Sequence, residues 1–176
     1  CYSPADNRHF NFGFDSNQRL TAYSYALGGI GTRLWGNTSK AMYCDASAWY
    51  HIVITMDTVQ AVAANRVKIY VNGDQVTSFS ESTYPAQNTN EYVNAANGSH
   101  RIGSYIYGAF QQFDGYMSDI AFADGQALTP TSFGQVDLVT GQWTPKEFSG
   151  PFGTTGYYLR FQDSSALTTS SNVGLG

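Results

Sequence analysis

The sequence predicts an all-β fold: an antiparallel two-sheet β-sandwich with no long helices. Three observations carry that expectation. Apolar and polar side chains alternate with period 2 along several segments, the spacing that sorts side chains onto opposite faces of a strand, and no 3.6-residue period competes with it. Eighteen glycines are spread along the chain and punctuate those segments. Aromatic residues make up 15% of the chain and charged residues 12%, against roughly 25% charged in an average domain. That balance excludes a disordered chain, which needs high charge and few rings. Without βαβ alternation, two packed antiparallel sheets remain.

The elements follow in order. HFNFGF places Phe10, Phe12 and Phe14 on one face, and LTAYSYAL opposes Leu20, Ala22, Ser24 and Ala26 to Tyr23, Tyr25 and Leu27. TRLWGN reads as a short strand ending at Gly36-Asn37. WYHIVITMD sets Tyr50, Ile52, Ile54 and Met56 against Trp49, His51, Val53 and Thr55. Both faces are largely apolar, which predicts a strand in the middle of a sheet. In NRVKIYVNGDQV, Val67, Ile69 and Val71 oppose Arg66, Lys68 and Tyr70, and Asn72-Gly73 suits both positive-φ corners of a type I′ turn.

Residues 80–100 are polar and rich in Asn, Ser and Thr, which predicts a long loop with one short strand at Glu91–Val93. RIGSYIYG and FDGYMSDIAFAD read as further strands, the second with Tyr116, Ile120 and Phe122 on one face. LTPTSFG predicts one helical turn: Thr129 caps, Pro130 opens it, and Gly134 ends it in the left-handed conformation. YYLRF is the last strand, with Tyr157, Leu159 and Phe161 inward. The expected organisation is eight or nine strands in one domain over residues 1–166, followed by a linker at 167–176. The chain starts at Cys1 and not at Met, consistent with a start that is processed or cut from something longer.

Chemistry is sparse. A net charge of −4 argues against nucleic acid, whose phosphates call for a basic stripe. No apolar run approaches the roughly 20 residues that span a bilayer. A glycosidase needs two carboxylates about 5–10 Å apart, set on one strand at i, i+2 or i+4. The three glutamates, Glu81, Glu91 and Glu147, have no acidic partner at that spacing, and the odd separation of Asp114 and Asp119 sends them to opposite faces. No nucleophile elbow is present, and His9, His51 and His100 are scattered. No enzyme is expected.

No cofactor is expected either. Calcium is the one metal reading, with Asp114, Asp119, Asp124 and the loop asparagines Asn88, Asn90, Asn94 and Asn97 as oxygen donors. For Asp114 and Asp124 the simpler role is turn formation before Gly. Cys1 and Cys44 are the only thiols and are expected unpaired in a domain of this size. The candidate ligand contacts lie in SYIYGAFQQFDG, where rings alternate with amides: Tyr105, Tyr107, Gln111 and Gln112. Flat rings suit the apolar face of a sugar, and amides suit its hydroxyls.

One resemblance emerges from these segments. SAWYHIVITMDTVQAVAANRVKIYVNGDQVTSF, then RIGSY and FDGYMSDIAFADGQALTPTSFG, resemble the laminin-G-like group of the concanavalin A-like lectin/glucanase jelly rolls. The closing WTPKEFSGPFGTTGYYLRFQDSS is similar to jelly-roll domains in structural proteins of tailed bacteriophages, especially those of cyanobacterial hosts. The likeness covers roughly residues 8–166. It implies a jelly-roll sandwich that lacks its first strand or strands here, and a tail that leads into a missing C-terminal part. The hydrolytic branch carries an E-x-D-x-E type motif, which this chain does not have.

The resemblance implies a non-enzymatic virion module of a tail fibre, appendage or capsid surface. It would be assembled in host cytoplasm with free thiols, exposed on the particle, and a homo-oligomer. Its partners would be other virion proteins or host glycan, without nucleic acid or membrane insertion. A secreted lectin-like or glycan-hydrolysing microbial domain is the alternative, and a purely architectural domain a third.

Overall fold

In a computed structural model of the chain, residues 2–3, 8–26, 32–94, 99–104 and 112–161 are described. The architecture is all-β, with antiparallel pairing throughout and short 3-10 turns. The chain divides into two compact units, Cys1–Asp114 and Gly115–Gly176.

The first unit holds a five-stranded sheet. Strand β1 (Tyr2–Ser3) pairs with β2 (Arg8–Phe14), β2 with β3 (Arg19–Ala26), β3 with β4 (Thr32–Met42), and β4 with β8 (Phe79–Ser82). Asp15 fixes the β2–β3 turn. One of its carboxylate oxygens accepts the backbone N–H groups of Asn17 and Arg19, each at 2.9 Å, and the other takes Arg19 Nε. The register then sets Phe10 opposite Ser24, Phe12 opposite Ala22 and Phe14 opposite Leu20. Across β3–β4, Ser24 faces Trp35 while Tyr25 faces Arg33, so Leu34 is an extra residue on β4. Such a bulge reverses side-chain parity on its strand. Trp35 therefore turns to the core, while Arg33, two residues earlier, joins Tyr25 on the opposite face.

A three-stranded sheet, β5 (Ile52–Met56), β6 (Val67–Val71) and β7 (Asp74–Gln75), forms the second layer. Asn72 and Gly73 sit at φ 50° and 88°, the type I′ corner expected from the sequence. Leu20, Ala22 and Trp35 from the first sheet meet Val67 and Ile69 from the second in one buried cluster, flanked by Phe10, Phe12, Ile52, Ile54 and Met56. Two sheets packed face to face over such a cluster make a β-sandwich.

Several expectations are corrected. TRLWGN is the first half of an 11-residue strand, because β4 continues along β3 past Gly36. β5 starts at Ile52 and, among the described residues, lies at a sheet edge; β6 is the central strand, and Trp49 is 67% exposed. The strand expected at Glu91–Val93 is a 3-10 turn, Tyr92–Asn94, whereas Phe79–Ser82 at the start of the polar stretch does pair. Of RIGSYIYG, Ser104 forms an isolated bridge with Gln112, and residues 105–108 lie outside the described residues.

In the second unit β9 (Ile120–Phe122) pairs with β12 (Tyr157–Leu159), and β10 (Gly134–Val136) with β11 (Trp143–Pro145). The strand expected across FDGYMSDIAFAD contracts to Ile120–Phe122, leaving Tyr116 88% exposed. The helical turn is a 3-10 turn at Pro130–Ser132 with Pro130 at its first position. The Thr129 hydroxyl contacts that of Thr131 at 2.9 Å and does not cap the turn. Gly134 is not left-handed; it belongs to β10, and a Cβ there would come within 2.5 Å of the Trp143 ring. Phe133, Phe148, Phe152 and Tyr158 touch in series, the first pair tilted, the second edge to face and the third stacked. Phe161, expected to face inward, is 52% exposed because φ of 53° turns the chain out of β12.

Candidate functional site: the aromatic face of the five-stranded sheet

Strand parity assigns Leu20, Ala22 and Ser24 to the core and leaves Tyr23 and Tyr25 on the other face of the sheet. Their rings meet edge to face at 5.3 Å, and His9 from β2 stacks flat on Tyr25 at 5.5 Å. Asn11, two residues further along β2, donates from Nδ2 to the Tyr23 hydroxyl at 2.6 Å. The guanidinium of Arg33 lies 5.3 Å from the Tyr23 ring centre and pairs with Glu81 from β8. Gly36 makes room for it: a Cβ at that position would occupy the guanidinium's own space. One sheet face thus combines π surfaces, an amide, a cation and an anion, supplied by four strands.

Burial pulls the His9 imidazole below its usual pKa, which favours its neutral form. The Arg33–Glu81 pair is partly solvated and contributes about 0–1 kcal/mol to stability, while Arg33 Nε and Nη2 are buried against the sheet.

Most described carboxylates are engaged locally. Asp15 staples the β2–β3 turn, and Asp45 accepts from Ser47. Asp137 Oδ1 receives the backbone N–H groups of Val139 and Thr140, and Glu147 pairs with Arg160. Asp119 accepts from the Ser118 hydroxyl at 2.6 Å and the Tyr158 hydroxyl at 2.7 Å, bonds that hold its carboxyl below the ordinary range. Burial and that acidic partner push Tyr158 up to about 12.

Of the expected ligand contacts, Tyr105, Tyr107 and Gln111 lie outside the described residues; Gln112 is exposed. Asp114 is exposed, and Asp124 occupies a turn before Gly125 and accepts from the Thr155 hydroxyl at 3.0 Å. Among the described residues no three His, Cys, Asp or Glu side chains gather where a cation could be held. Cys44 is an exposed free thiol, and Cys1 lies outside the described residues. His51 precedes β5, and its backbone N–H donates to Asn72 Oδ1 at 2.9 Å. The sequence alone opposes Tyr23 and Tyr25 to Leu20, Ala22 and Ser24 without saying which face is the core, and it does not join them to His9, Asn11, Arg33 or Glu81.

A family model described as the concanavalin A-like lectin/glucanases superfamily, of laminin G type, matches residues 2–132. That span includes both sheets of the first unit and every residue of the aromatic face. No curated protein and no solved structure gives a significant match. With well over half its length matched, the chain belongs to the concanavalin A-like lectin/glucanase superfamily.

Proposed function

We propose that the chain is a non-enzymatic recognition and display module that takes a glycan on the outer face of its five-stranded sheet. The observation that carries this reading is the Tyr23–Tyr25–His9 ring cluster, with Asn11, Arg33 and Glu81 beside it. Ring faces suit sugar C–H groups, and the amide and charged groups suit hydroxyls; sites of this kind are largely pre-formed. The employment of the described carboxylates in turns and ion pairs supports a role without bond cleavage. The finer reading places the module on the surface of a phage particle, in a tail fibre, appendage or capsid. It would contact host glycan or neighbouring virion proteins and act as a homo-oligomer, and this rests on the likeness of the closing segment to such proteins.

A glycan array probed with the full chain tests the reading, with Tyr23→Ala/Tyr25→Ala as its partner. Loss of aromatic stacking is expected to weaken binding by about tenfold or more, at roughly 0.5–1.5 kcal/mol per ring contact. An array on which the wild type binds no glycan, or on which the double variant binds as well, refutes it. The superfamily's glucanases keep hydrolysis as the rival reading. Reducing-sugar release that disappears in Asp114→Asn or Asp119→Asn would establish it.

A further inference from the structure

An arginine grips a carboxylate or a sulfate by presenting two N–H groups side by side. What the arginines of the aromatic face do with that edge therefore decides whether an acidic sugar can be held there. Strand parity along β3 places Arg19 on the same face as Thr21, Tyr23 and Tyr25. Its Nε and Nη2 both go to Asp15 Oδ2, at 2.9 and 2.7 Å, and its Nη1 reaches Ser80 Oγ at 3.3 Å. All three nitrogens are committed within the protein.

Arg33 is masked by a different route. Its Nε and Nη2 lie over Gly36, where a Cβ would collide with both, and both are buried without an acceptor among the described residues. Nη2 belongs to each of the two edges through which a guanidinium forks, so its burial removes side-on and end-on recognition alike. The remaining nitrogen, Nη1, donates to Glu81 Oε2 in an exposed contact. Glu81 stands opposite Thr38 on β4, and Thr38 stands opposite Thr21 on β3, which puts this carboxylate on the same face. Its side chain is 43% exposed, and it is the charge that balances Arg33. Lys40 lies past Thr38, where the β3–β4 register shifts, away from the rings.

We propose that the aromatic face selects uncharged glycans over acidic ones, and that Glu81 is the residue that sets this selectivity. The inference rests on the reading of that face as a glycan site. An acidic sugar would bring a second negative group beside Glu81 and would find neither arginine with a forked edge open to it. The chain's net charge of −4 adds repulsion at longer range. For a neutral sugar the same carboxylate is an asset. It uses one oxygen on Arg33 and is exposed enough to accept from sugar hydroxyls, while Tyr23 and Tyr25 offer ring surface to the C–H groups. Gly36 is the supporting element, because its missing Cβ lets the guanidinium lie flat with its fork turned away from solvent.

An array that pairs neutral glycans with counterparts carrying a carboxylate or a sulfate tests this, probed with the full chain, Glu81→Gln and Arg33→Gln/Glu81→Gln. The wild type is expected to bind the neutral member of a pair about fivefold better or more, the factor that one unit-charge contact at about 4 Å carries in bulk water. Glu81→Gln leaves Arg33 unbalanced and should narrow or reverse that preference, and the double variant should lose whatever acidic binding the single one gains. A wild type that favours the acidic members overturns the inference and leaves the glycan reading standing, as does a Glu81→Gln whose preference is unchanged. A wild type that binds no glycan refutes both. Should Glu81→Gln fail to fold, salt decides the matter on the wild type alone. Its preference for neutral glycans should shrink between about 0.01 and 1 M salt, as the screening length falls from about 30 to 3 Å, and a preference that does not shrink overturns the inference.

Discussion

Arg33 shows how a single residue acquires its place. Read by parity from Trp35 it would belong to the core, yet the extra residue Leu34 turns it to the aromatic face, over Tyr23 and beside Glu81. Gly36 then matters for the volume it lacks, because the guanidinium lies where its Cβ would be. Gly36→Ala is expected to displace the flexible end of Arg33 and not the backbone, so its cost in stability should stay below about 1 kcal/mol. The same substitution should break the Arg33–Glu81 pair and weaken any ligand that uses Arg33. A crystal structure of the variant, with a denaturation curve, checks both halves; an unmoved Arg33 would contradict the assignment. None of this was legible beforehand. The Tyr23–Tyr25 alternation can be read from eight letters, but a bulge is a property of two strands at once, and TRLWGN carries no mark of it.

At the scale of elements, the most legible piece was the β6–β7 hairpin. Its alternation, dipeptide and short span are all local, and local chemistry alone decides such a turn. Gly73 at φ 88° is expected to tolerate alanine poorly. Gly73→Ala should cost about 1–2 kcal/mol, the penalty for an L-residue in the left-handed region, whereas Gly13→Ala, with open space around its Cβ, should cost far less. Thermal melts of the two variants measure the difference, and equal melting temperatures would count against the type I′ assignment. The elements that were misread depend on distant partners. Glu91–Val93 has strand-like letters but spends them on a buried carboxyl and an Arg8–Tyr92 stack. Gly134 was read as a helix terminator, whereas its missing Cβ accommodates Trp143 from a strand nine residues on.

At the scale of the molecule, the period-2 pattern was enough to predict a sandwich, because each correctly sorted strand contributes one apolar face and those faces must meet. It was not enough to say which strand lies centrally. WYHIVITMD is the most apolar segment yet ends at an edge of its described sheet, while β6 supplies the buried Val67 and Ile69. Apolar letters report how much a strand is covered, and coverage can come from loops as well as from neighbouring strands. If the core sits between the two sheets of the first unit, side chains there should dominate stability, whatever their hydropathy shares with surface residues. Leu20 is 0% exposed in that cluster, whereas Leu138, in the β10–β11 turn, is 97% exposed. Leu20→Ala is expected to cost about 2–5 kcal/mol, by lost transfer energy plus the cavity left behind. Leu138→Ala should stay within about 0.5 kcal/mol. With a urea slope of about 1–3 kcal/mol per molar, the first corresponds to a midpoint shift of about 0.7–5 M and the second to at most about 0.5 M. The unfolding signal should be read from the buried Trp35, so that the transition observed is that of the first unit. A Leu20 variant that unfolds alongside the wild type would mean that the two sheets do not close on one another.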